Sequence, residues 1–193
     1  MQPGALPASQ HHFENNMTAL ALATVLEGCI GETLSALELA AEVDDTAAVG
    51  VDDKLTELLM KNTETIALDE GRHSSLAWRT IHWVCRVDSD ACNTVQRQIF
   101  GVSTLTEAVS KRLPAGNVEI QEAWTRIHET LVPFVTALDR AKIAKATRVY
   151  CSSPNTTFDK SNNGANGVLE QLTDNIIRGV VCGVESRTFT ETN

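Results

Sequence analysis

Asp69-Glu70-Gly71-Arg72-His73-Ser74-Ser75-Leu76-Ala77-Trp78-Arg79 lies in the middle of the longest helical pattern in the chain. Glu70 and His73 are three residues apart, so on a helix they project from one face. A carboxylate and an imidazole side by side can hold one divalent metal, and the carboxylate can also bridge to a second. The residues around them, Leu55, Leu58, Leu59, Ile66 and Ala67 and onward through Leu76, Ala77, Thr80, Ile81 and Val84, recur at helical spacing. That spacing is the period of an amphipathic helix. Asp52 or Asp53 is placed to cap its start, and Asp88-Ser89-Asp90 gives a stop near Val87 followed by a new cap. A helix of this length is unusual in a globular domain and usual in a bundle.

Working outward, the preceding helix is predicted from Ala19 to Val43, with Asn16 or Thr18 as cap and Asp44–Gly50 as a connection. Its centre reads Glu27-Gly28-Cys29-Ile30-Gly31-Glu32-Thr33. Each glycine costs about 1 kcal/mol against alanine in a helix, so a neighbouring backbone is expected to come close there. Glu32 stands among small and apolar residues, and an ionised carboxylate buried there needs a cation, a partner or a proton. A metal shared with Glu70 and His73 satisfies it; so does an ion pair with Arg72 or Arg79. Glu27 is five residues earlier and turns away from that face, which makes it the second choice.

The remaining pattern is also helical. A third helix is expected from Cys92 to Leu113, interrupted at Gly101, and a fourth from Val118 to Ile143, kinked at Pro133. Residues 1–16 read as a flexible arm, 17–148 as the helical domain, and 149–193 as a polar linker, a short helix (Val168–Val184) and a tail. His82, Trp78 and Trp83 fit boundary or packing roles on the long helix.

Composition narrows the function classes. The 193 residues carry a formal net charge of −9, and the one basic stretch, Arg140 to Arg148, has the spacing of a solvated helix, so no nucleic-acid partner is expected. The five cysteines form no C-x-x-C pair and read as free thiols in a reducing compartment. No membrane-crossing stretch and no secretory segment is expected, and the cytoplasm is the default location.

Taken together, the motifs at 27–33 and 69–79 resemble the ferritin-like superfamily, most closely from Thr18 to Trp83. The resemblance implies an all-α bundle in which one helix of a pair gives a Glu and the other gives Glu-x-x-His. It implies Glu32 as a terminal metal ligand, Glu70 as a bridging ligand and His73 as the histidine. Two helix pairs in that fold frame two iron or manganese ions, for oxidoreductase chemistry with dioxygen or peroxide. This sequence departs from that pattern: no second Glu-x-x-His is present, so it supplies two carboxylates and one histidine of the four and two expected. The bundle is then incomplete or completed by dimerisation. A second copy (a homodimer) or a partner helix pair completes the site; otherwise the chain holds one metal or none, or is a piece of a longer product. The rival reading is a metal-free helical scaffold or interaction module.

Overall fold

The Asn16 side chain accepts a hydrogen bond from the Ala19 amide at 2.6 Å and starts the first helix. The computed structural model describes residues 16–50, 53–101, 107, 109–111, 113, 117–152 and 167–188. The expected arm, residues 1–15, and most of the expected linker lie outside them. Helix α1 (Met17–Ala23) runs into a π-helical segment (Thr24–Glu32) and on into α2 (Thr33–Val49), so these three form one continuous rod. The expected connection at Asp44–Gly50 is therefore helical almost throughout. It ends where Gly50 takes φ 94°, a left-handed value that suits glycine.

Asp53 caps α3 (Lys54–Val87), accepting from the amides of Leu55 and Thr56 at 2.8 and 2.9 Å. Asp88 ends that 34-residue helix and caps α4 (Ser89–Gln98), as the sequence indicated. The predicted fourth helix divides in two. Helix α5 (Val118–Thr136) stops at Ala137, which is left-handed (φ 53°), and Asp139 caps α6 (Arg140–Cys151). Pro133 lies in the last turn of α5, where its carbonyl accepts from Leu138, so it sits beside the break rather than kinking a longer helix. Helix α7 (Val168–Thr188) follows. The protein is all-α, and there is no strand among the described residues.

Four long elements share one core: the rod of α1–α2, then α3, α5 and α7. Helix α7 is no appendage, because Leu172, Ile176, Ile177, Val180 and Val181 are buried against the others. Its amino terminus is held by the first rod: the Asp44 carboxylate accepts from the Val168 and Leu169 amides at 2.7 and 3.0 Å. Arg126 of α5 clamps Glu170 and Asp174 of α7 at 2.7 and 2.8 Å. By length and composition Met17–Val49 is apolar enough to cross a membrane, contrary to the sequence expectation, but half of its apolar window is buried inside the bundle.

Two features set the register. Gly28 lies against Ala77 so closely that a Cβ at Gly28 meets the Ala77 methyl. Across the same crossing, Thr33 bonds to Ser74. The rod and α3 are thus antiparallel and in near backbone contact, as the glycines implied. The free-thiol expectation is corrected: Cys85 pairs with Cys92 across the α3–α4 corner, Cys151 pairs with Cys182 between α6 and α7, and Cys29 alone is free and buried. The pairs are far apart in the C-x-x-C sense, and only the folding of α4 and α7 brings them together.

Two predictions follow from the packing. Replacing Gly28 by Ala should lower stability by about 1–3 kcal/mol, because overpacking outweighs the helix-propensity gain; a higher melting temperature would contradict the close crossing. Opening Cys151–Cys182, which spans 31 residues, should cost about 3–4 kcal/mol and opening Cys85–Cys92, which spans 7, about 2. Chemical denaturation of the paired Cys→Ser variants gives the order, and thiol counting in denaturant before reduction should find Cys29 alone.

Candidate metal centre

The antiparallel crossing determines what meets what. Glu32 is the last residue of the π-helical segment, and it arrives opposite Glu70 and His73 on α3. One ligand atom from each of Glu32, Glu70 and His73 lies within 4.8 Å of the others. Among the described residues this is the one group of three or more acidic, histidine or cysteine side chains close enough to share an ion. All three sequence candidates are therefore brought together. Glu27, the second choice, is exposed and outside the cluster.

A π-turn closes its hydrogen bonds one residue later than an α-turn and is wider, and such segments inside helices are often found at functional sites. Here the segment ends on a ligand residue. No sequence pattern used above could reveal it, because periodicity at three and four tolerates one added residue.

His73 stands between two carboxylates of its own helix. Its Nδ1 is 3.7 Å from Glu70 Oε2 and its Nε2 is 3.9 Å from Asp69 Oδ2. If Nδ1 serves a metal, Nε2 is left to donate to Asp69, the arrangement in which an outer carboxylate orients a ligating imidazole. Asp69 was quoted in the sequence without a role; its position four residues before His73 was the available signal. Arg72 pairs with Asp69 at 3.5 Å, and Arg79 donates to the Ser75 carbonyl at 3.4 Å.

Beneath the carboxylates lies a buried polar network that sequence reading missed. Thr33 and Ser74 share a hydrogen bond, and Trp78 Nε1 donates to Thr33 Oγ1 at 3.3 Å. All three are fully buried. Thr33 follows Glu32 and Ser74 follows His73, so the network pins the backbone next to two of the three ligands. Toward solvent the site is open: the Glu70 side chain is 27% exposed and that of His73 57%. The dry surroundings expected for the site are found below it, on the Thr33–Trp78 side, and not above it.

The other histidines are elsewhere. His82 stacks on Phe134 and His128 on Trp124. Burial is the main reason both imidazoles are held below their ordinary pKa. Glu119, Glu122 and Glu129 of α5 do not join the cluster. Comparison of the chain with protein-family models, with curated proteins and with solved structures finds no match.

Thr33→Val should leave Ser74 Oγ and Trp78 Nε1 buried without their shared partner and lower stability by about 1–3 kcal/mol. Urea unfolding measures it; a change inside about 0.5 kcal/mol, the range of an ordinary surface substitution, would show that the network is not what holds this crossing.

Proposed function

We propose that this chain is a ferritin-like metal-binding protein that holds iron or manganese between Glu32, Glu70 and His73. The observation that carries the reading is the convergence of these three side chains, from two successive antiparallel helices, within 4.8 Å. The donor set fits: two carboxylate oxygens and one imidazole nitrogen suit iron or manganese better than a thiolate-preferring ion. Donor atoms around one ion stand roughly 3–3.5 Å apart, given bonds of about 2.1 Å. A side-chain movement of about an ångström closes the cluster to that spacing.

Each residue has a role its position supports. Glu32 holds the ion from the π-helical segment, whose backbone is fixed by the Gly28 crossing. Glu70, beside His73 on the same helix and partly exposed, is the bridging carboxylate. His73 fixes position through one ring nitrogen, while Asp69 takes the other. Iron or manganese in such a donor set supplies one-electron redox chemistry with dioxygen or peroxide. An oxidoreductase is the activity this reading supports. The two disulfides favour an oxidising compartment over the cytoplasm.

The test is a metal titration of stripped protein. Ferrous iron or manganese is added without air, and metal per chain is counted in wild type, Glu70→Ala, His73→Ala and Glu27→Ala. Wild type and Glu27→Ala should bind alike, while the two ligand variants weaken binding by about tenfold or more, equivalent to at least about 1.4 kcal/mol. Metal should also raise the wild-type melting temperature, since an ion that binds only the folded chain stabilises it. Equal binding by all four proteins sinks the metal reading.

A further inference from the structure

Helix α3 shows solvent a long apolar stripe. Leu55, Leu59, Ile66, Leu76, Trp83 and Val87 follow one another on the heptad pattern of fours and threes, with polar residues Asn62, Asp69, His73 and Thr80 filling the missing steps. Those six apolar side chains are 49–65% exposed, although each is large enough to anchor a core. A seam of this spacing is what one helix presents to another in a coiled-coil contact. An exposed apolar run of this length usually marks an interface.

The stripe is also a mirror of itself about Gly71. Counting outward equally in both directions, Leu55 matches Val87, Leu59 matches Trp83 and Ile66 matches Leu76. The polar residues match as well: Asn62 with Thr80, and Asp69 with His73. Apolar meets apolar and polar meets polar, and the acidic Asp69 of one copy meets His73 of the other. In an antiparallel two-fold contact, residue i of one copy meets residue j of the other and the reverse. In a parallel contact Asp69 would face Asp69 and His73 would face His73, so the antiparallel arrangement is the one this sequence suits better.

We propose that two copies of this chain pack antiparallel along the α3 stripe, with the two-fold axis at the level of Gly71, so that the two Glu32–Glu70–His73 clusters are brought together. The proposal deepens the metal reading and rests on it for what the joined clusters do. The axis passes level with the cluster, between Asp69 and His73. The open side of the site, where His73 is largely exposed, is the side that the second copy covers. The pair then offers four carboxylates and two histidines at one place. A lone chain offers half of that, and its apolar stripe stays in water.

The seam can be tested without metal. Ile66→Cys and Leu76→Cys chains are prepared separately, mixed in EDTA and mildly oxidised. Only the mixture should cross-link efficiently, because matched residues face each other, while like residues stand ten positions apart along the helix, or about 15 Å. Native mass should give a dimer for wild type and for Glu70→Ala. Ile66→Lys, at a position exposed in the single chain, should keep the helical circular dichroism, give a monomer, and bind metal about tenfold more weakly than wild type. A wild-type monomer at micromolar concentration, or Ile66→Cys chains that cross-link among themselves as readily as with Leu76→Cys, overturns the proposal. Because the cross-link is read in EDTA, a dimer that binds no metal refutes the metal reading alone.

Discussion

The close antiparallel approach of the first rod to α3 is the constraint on which the rest of the structure depends. Gly28 lets the two backbones come near at Ala77, and Thr33 and Ser74 bond across the same line. With these contacts in place the register of thirty-odd residues of helix is set, since one helix cannot slide on the other without driving a side chain into Gly28. Glu32 then meets Glu70 and His73 as a consequence of that register. The glycine's cost in helix propensity is offset by the packing it allows.

Around this pair the remaining helices serve to exclude water from one side. Helices α5 and α7 cover the inner faces, and the Arg126 clamp and the Asp44 cap fix them to each other and to the rod. The bundle is asymmetric in consequence. Its interior holds Trp78, Leu34, Leu37 and Ile81, while the outer face of α3 keeps large apolar side chains in solvent. The candidate ligands stand on the boundary between those two regimes. Their backbone is anchored in the dry region, and their functional atoms reach the wet one. That position gives the candidate cluster rigid support and an accessible opening at the same time.

Most of the fold was legible in the sequence because its signals are local. Asp53 and Asp88 announced the ends of α3, and the three-and-four spacing announced its faces. The three candidate ligands were legible for a similar reason: Glu70 and His73 share a helical face at fixed spacing, and Glu32 stood out as a charge among apolar neighbours. What sequence could not show depended on distant partners. The Asp44 carboxylate looked like a helix breaker because its partners, Val168 and Leu169, are supplied from the far end of the chain. The cysteines looked free because α4 and α7 must fold before either pair can meet. The break at Ala137 was hidden because the apolar period continues across it, and Pro133 drew attention to the wrong residue.

The nine-residue π-helical segment sets the angular phase of everything after it. Each residue added to or taken from an α-helix turns the following side chains by about 100° around the axis. Within Thr24–Glu32 the wider turns absorb such a change without breaking the rod, yet the rotation is passed on to Glu32. Shortening that segment by one residue would therefore leave a sound helix whose carboxylate points elsewhere. The segment acts as a vernier between a part of the rod that only packs, α1, and a residue that has to aim.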